Sequence, residues 1–152
     1  MSTTQPASQA AGPWRKAPRL VRTGFVLVVL GAVGLLLSGI LMWTAEPPTD
    51  PGPEQRRVID AVVTALRWTG GIEILAAVVL SVASPGLLLG DPRRRTVTAV
   101  AAGVAALTAL GIWALGIGGP VQPLLAFILA GAVLAVYRPA VRFHFRPGRG
   151  TW

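Results

Sequence analysis

The chain contains no cysteine, which excludes a disulfide framework, a dithiol redox centre and thiolate metal sites. Its single histidine, His144, makes bis-histidine haem ligation within the chain impossible. Charge is scarce: 13% of the 152 residues are charged, against about 25% in an ordinary soluble domain. Lysine is almost missing too, with one Lys among the 14 basic residues, the bias a GC-rich genome produces alongside abundant Ala, Gly, Val and Pro. There is no Walker loop, no HExxH and no GxSxG nucleophile elbow, and Gly116-Ile117-Gly118-Gly119 lacks the strand-turn-helix context of a nucleotide loop. The expectation is therefore no catalytic constellation, no metal and no cofactor.

What the chain has instead is apolar sequence. Hydrophobic residues make up 53% and mean hydropathy is +0.61, so the polar surface needed to coat a soluble domain is missing. Several long apolar runs joined by short connections predict one all-α domain, a four-helix integral membrane bundle with an additional amphipathic helix before the second span. The lipid bilayer is the first expected partner, with other membrane proteins or a second copy next. Nucleic acid is not expected despite the net charge of +8, because topology explains that charge.

Residues 1–22 hold Ser, Thr, Gln, Pro and Ala, then the basic group Arg15, Lys16, Arg19 and Arg22; the first part has too few apolar residues to pack and reads as disordered. Gly24–Trp43 is an apolar run of 20 residues, long enough for one span. A cleaved signal peptide fits less well, since its apolar region is about 7–15 residues and ends at small residues, whereas this run ends in Met42-Trp43. The four prolines and three acids of residues 44–57 form a solvated loop.

The stretch after that loop is too long for a bilayer. Val58 to Gly90 as one helix has 33 residues, roughly 50 Å at about 1.5 Å per residue, against a hydrocarbon core of about 30 Å. The glycine pair Gly70-Gly71 is the expected break. It would separate an amphipathic helix over 54–68 from a span over about 71–90, with Pro85 as a kink or early stop. Residues 91–95 form a basic turn, 96–117 a third span, Gly118-Gly119-Pro120 a turn and 121–137 a short fourth span.

Orientation follows from the basic residues. With four spans, the N-terminal tail, the turn holding Arg93, Arg94 and Arg95, and the tail holding Arg138, Arg142, Arg146 and Arg149 share one side and carry 11 of the 14 basic residues. The positive-inside rule puts that side, with both termini, in the cytoplasm of a cell-membrane protein; Trp43, Trp68 and Trp113 then mark the outer interface and Tyr137 the inner one. The basic residues would lie against anionic lipid, and His144 reads as an interfacial side chain.

Three charged residues in the long second stretch are the candidate polar site. Arg56, Arg57, Asp60, Thr64 and Arg67 fall within about 100° of helical arc, a narrow stripe that suits an interfacial helix better than a buried gate. Glu73 lies inside the apolar segment, where an ionisable group is costly and points to function; a proton-handling or hydrogen-bonding role is the chemistry it offers. On a continuous helix Arg67 and Glu73 are a net turn of about 240° apart, so only a bend at the glycines would let them pair. Gly34 with Ser38, Ala99 with Gly103, and Gly131 with Ala135 are small-xxx-small pairs that allow close helix approach.

Gly71-Ile72-Glu73-Ile74-Leu75 opening an apolar span, the basic turn, the Ala/Gly-rich span and the short last span ending in Tyr137-Arg138-Pro139 resemble the DoxX-like small four-helix membrane proteins. The resemblance covers about half the chain. It implies association with quinone-linked sulfur oxidation or oxidative-stress protection, often as a partner of other proteins, and matches Glu73 to a recurrent second-span glutamate. The proline-rich loop and the Asp60–Arg67 stripe depart from that pattern, and the missing cysteines exclude the thiol-oxidising quinone reductases. The leading functional expectation is a non-enzymatic accessory or scaffold component of a membrane assembly. The alternative is a small transporter or quinone-linked redox subunit in which Glu73 handles a proton and Arg67 orients a ligand.

Overall fold

The computed structural model describes residues 14, 17–48, 52–116 and 118–145; Arg15, Lys16, Arg146 and most of the polar N-terminal tail lie outside them. From Arg19 onward the described residues form five α-helices in order, α1 (Arg19–Trp43), α2 (Pro53–Ala83), α3 (Pro85–Leu89), α4 (Pro92–Ala114) and α5 (Val121–Tyr137), before a 3-10 segment over Pro139–Phe145. No strand occurs among the described residues. Helix α1 packs on α2, α2 on α4, α4 on α5 and α5 back on α1, which closes a ring of four long helices. Three of these, α1, α2 with its α3 extension, and α4, are long and apolar enough to cross a membrane. Helix α5 has 17 residues and turns through 70° into the 3-10 segment, so the pair makes up a bent fourth.

Alanine is prominent in the interior beside leucines such as Leu35, Leu80 and Leu129, while the exterior is rich in large apolar side chains. Ala32, Ala77, Ala102, Ala105, Ala109 and Ala132 are buried, while Leu41, Leu107 and Phe127 are 72%, 72% and 74% exposed. An aqueous protein would gain free energy from the reverse arrangement. In lipid, tails solvate the leucines and close backbone approach supplies the packing, so small residues belong at the contacts.

Two faces of α1 carry those contacts. Gly24, Gly31 and Ser38, seven residues apart in sequence, point at α5: a Cβ on Gly24 would strike Val136, and one on Gly31 would strike Leu129. Gly39 points at α2 and meets Gly70. A Cβ on Gly70 would lie 2.5 Å from the Gly39 carbonyl oxygen and 2.9 Å from the Trp43 nitrogen, both backbone atoms that cannot swing away. Gly71 seats the Trp43 ring, with a Cβ there 3.0 Å from its edge.

This contact corrects the expected break at Gly70-Gly71. Helix α2 runs through the glycines as one 31-residue element, so no separate amphipathic helix over 54–68 exists. At about 1.5 Å per residue it is roughly 46 Å long, and its first half projects past the end of α1 instead of lying across the bundle. The glycines are there for proximity, and a helix interior held by a neighbour tolerates their lower propensity. The expected stop is at Pro85: α2 ends at Ala83 and α3 is a single turn closed by Gly90 in the left-handed region (φ 76°).

The end of the bundle bearing Arg93–Arg95 is tied down by several polar contacts. Asp91 caps α4, its Oδ1 accepting from the Arg93 N–H at 2.9 Å and the Arg94 N–H at 3.4 Å, with Pro92 in the first turn. Arg94 donates to the Val82 carbonyl at 2.9 Å. The 3-10 segment folds back under the helices, burying Val141 and Phe145, and the His144 ring nitrogen Nε2 lies 3.2 Å from the Leu87 carbonyl oxygen. The Arg95 guanidinium sits 4.1 Å from the Tyr137 ring centroid and 4.8 Å from that of Phe145. The segment expected to be an interfacial anchor thus closes one end of the bundle, with Arg138 and Arg142 exposed beside it.

Gly70→Ala and Gly103→Ala make a matched pair. A Cβ at Gly103 meets nothing within 4 Å, so that variant should keep or slightly raise thermal stability in detergent, the helix-propensity gain being up to about 1 kcal/mol. Gly70→Ala should lower it by about 1–3 kcal/mol, the usual range for overpacking. Equal melting temperatures for the two variants would contradict the Gly39–Gly70 contact.

Candidate functional site

A polar cluster sits inside the otherwise apolar ring, at the end where α1 and α4 finish and α5 starts. Glu73 on α2 is 2% exposed and Gln122, in the first turn of α5, is 1% exposed. Ser38 on α1 lies between them: Gln122 Nε2 donates to Ser38 Oγ at 2.9 Å and lies 4.0 Å from the Met42 sulfur. Ser38 and Gln122 both stand beside the Glu73 carboxyl group, yet neither makes a well-formed hydrogen bond to it. Both Glu73 oxygens and Gln122 Oε1 are buried without a hydrogen-bond partner.

Each side chain reaches this place for a local reason. Glu73 lies three residues beyond Gly70, on the side of α2 that faces α1, and a Cβ on Gly39 would fall 3.2 Å from the Glu73 Cβ. The backbones must touch at Gly39 and Gly70 for the glutamate to be drawn inward. Ser38 continues the Gly24–Gly31 line of α1 toward α5, and its small side chain leaves room for the longer Gln122. Gln122 is placed by the α5 start, where its backbone N–H donates to the Gly119 carbonyl at 3.2 Å.

Donors and acceptors do not balance. Three buried oxygens lack a well-formed hydrogen bond, while Gln122 Nε2 donates to Ser38 and stands beside both the Met42 sulfur and the Glu73 carboxyl group. The Ser38 hydroxyl can supply one donor. The cluster is therefore short of well-placed hydrogen-bond donors, and among the described residues no basic side chain forms an ion pair with the carboxyl group. Leaving a buried acceptor unsatisfied costs about 1–3 kcal/mol, more if it is charged. Stability alone does not account for such an arrangement.

The cluster lies next to the outside of the bundle. A groove of about 290 Å³ opens at this end, with Ser38 and Gln122 as its polar lining and Leu41, Met42, Leu66 and Val121 among its apolar walls.

The other two candidates lie elsewhere. Asp60 and Arg67 are exposed on the projecting half of α2 and do not pair with each other. Arg67 lines a separate shallow groove of about 230 Å³ with Trp43, Thr64 and Trp68. Because α2 is continuous, Arg67 and Glu73 point to different sides and do not meet. Arg19, Arg22, Arg93, Arg94, Arg95, Arg138 and Arg142 are the described arginines of the opposite end, and among the described residues no group of three or more metal-ligating side chains occurs.

Sequence reasoning identified Glu73 but missed Gln122, and it treated Ser38 only as a small residue. A signal was available: Ser38 is the sole polar side chain in the apolar run 24–43, and Gln122 the sole one in 121–136. Isolated polar residues in three separate apolar helices had one place to go, which was toward each other.

Glu73→Met keeps the shape and removes the two unpartnered oxygens, so it should raise stability by about 1–3 kcal/mol in thermal unfolding. A drop of that size would mean that Glu73 is a structural tie. No family model, curated protein or solved structure matches the chain, and the chemistry of this cluster rests on the residues just described.

Proposed function

We propose that this chain is a small multi-pass protein of the cell membrane whose Glu73–Ser38–Gln122 cluster exchanges a proton, or a ligand that replaces one, with the outer side. The observation that carries this reading is the burial of the Glu73 carboxyl group with no partner for either oxygen. An ionisable group held at such cost within an apolar helix earns its place through chemistry. The positive-inside rule supports the orientation: the end bearing Arg19, Arg22, Arg93, Arg94, Arg95, Arg138 and Arg142 faces the cytoplasm, and the groove opens outward. Trp43, Trp68 and Trp113 gather at the groove end, as an outer aromatic belt requires.

A quinone-linked role of the DoxX-like kind would use the same glutamate. It is the less favoured ligand class, because quinone carbonyls are acceptors and the cluster already lacks donors. The accessory-protein reading draws support from another face. Gly103 and Gly111 on α4 have open space where a Cβ would stand, and Gly103 belongs to a wholly apolar groove of about 430 Å³ between α4 and α5. A further transmembrane helix could pack there. The two roles are compatible, since the two grooves share no lining residue.

Infrared spectroscopy of the purified protein in lipid tests the proton reading. The carboxyl band absent from Glu73→Gln should change reversibly in intensity as the bathing pH is varied. A Glu73 band that stays constant across the whole pH range in which the protein is folded would contradict proton exchange.

A further inference from the structure

The groove and the donor deficit together define a ligand class. We infer that the outer groove binds a primary ammonium carrying an apolar substituent, with the ammonium on Glu73, Gln122 and Ser38 and the substituent along the groove walls. This deepens the proton-exchange reading and rests on it, since an ammonium and a proton compete for the same carboxylate.

The first observation is the count of unsatisfied atoms. Glu73 Oε1, Glu73 Oε2 and Gln122 Oε1 are buried and unpartnered. A primary ammonium brings three N–H donors and one positive charge in a single small group. It would satisfy all three oxygens and neutralise the carboxylate. A proton alone supplies a single donor. No arginine, lysine or histidine among the described residues faces the carboxyl group from α1, α2 or α5, so the cation has to come from outside the cluster.

The second observation is the access route. Ser38 and Gln122 both line the groove and both stand beside the Glu73 carboxyl group, so these two side chains are what separates the buried oxygens from the groove. The walls are Leu41, Met42, Leu66 and Val121, which offer nothing to a polar tail. A groove of about 290 Å³ falls just below the ligand-pocket range of about 300–1,000 Å³, which limits the substituent to one ring or a short alkyl chain. A sodium ion fits worse. Hard cations seek about six oxygen ligands, and the cluster offers two side-chain carbonyl or carboxyl groups and one hydroxyl, with a thioether alongside.

The probe is 2-phenylethylammonium, titrated calorimetrically into the full chain in phosphatidylcholine nanodiscs in sodium-free buffer. Saturable one-to-one binding is expected. Glu73→Gln should weaken it by about tenfold or more, the effect of losing a charge-assisted hydrogen bond. The N,N,N-trimethyl analogue keeps the charge but has no N–H, and should also bind about tenfold more weakly. Val121→Trp narrows the groove without touching the cluster. It should weaken amine binding while leaving the Glu73 infrared band responsive to pH, which guards against a misfolded Glu73 variant.

Several results would overturn the inference. They are unchanged affinity in Glu73→Gln, equal affinity for the trimethyl analogue, or full displacement by sodium ions. Absence of saturable binding with a pH-responsive Glu73 band would overturn it and leave proton exchange standing. A band that never responds to pH would remove the reading beneath it.

Discussion

Backbone contact between Gly39 and Gly70 is the constraint on which the rest of the molecule depends. Without side chains at these two positions, α1 and α2 approach until a Cβ on Gly70 would lie 2.5 Å from a carbonyl oxygen. That proximity fixes which side of α2 is inward, and Glu73 lies on it. It also removes any reason for the helix to bend at the glycine pair, because an unbent helix satisfies the contact and retains its hydrogen bonds. The projecting first half of α2, the separation of Arg67 from Glu73 and the burial of the carboxyl group all follow from it.

The opposite end is organised on different physics. There the chain changes direction twice, at Ser84–Gly90 and at Arg138, and polar side chains tie the pieces together. Asp91 caps α4, Arg94 bonds to Val82, and Arg95 stacks between Tyr137 and Phe145. This end therefore resists opening, while the groove end carries a polar cluster with unmet hydrogen-bonding capacity.

Much of the fold was legible in the sequence, because its signals are local. Apolar run length marked the helices, with 121–137 matching α5 at both ends, and Pro85 stopped α2 where a proline should. The fate of Gly70-Gly71 was not legible. A glycine pair serves equally for a bend or for close approach, and the choice depends on Gly39, some thirty residues earlier and on another helix. The site was half legible for the same reason. Glu73 stood out as a charge in an apolar helix, but its neighbours Ser38 and Gln122 are assembled by helix packing, and each is unremarkable in its own segment. Asp60 and Arg67, conspicuous by charge, remain at the surface, Asp60 on the part of α2 that projects past α1 and Arg67 beside Trp43 at the very end of α1.

The isolation of Glu73 depends on α2 being one continuous helix through the glycines, since a hinge would let Arg67 turn toward Glu73 and give the carboxyl group the partner it lacks. Spin labels on cysteines replacing the exposed residues Asp60 and Ser81 measure this directly by electron–electron double resonance in lipid. A continuous helix separates the two backbone positions by about 31 Å at about 1.5 Å per residue, and a narrow distribution near that value is expected. A distribution that is markedly shorter, or broad with a substantial short component, would show the helix hinged at Gly70-Gly71 and contradict the isolated, buried Glu73.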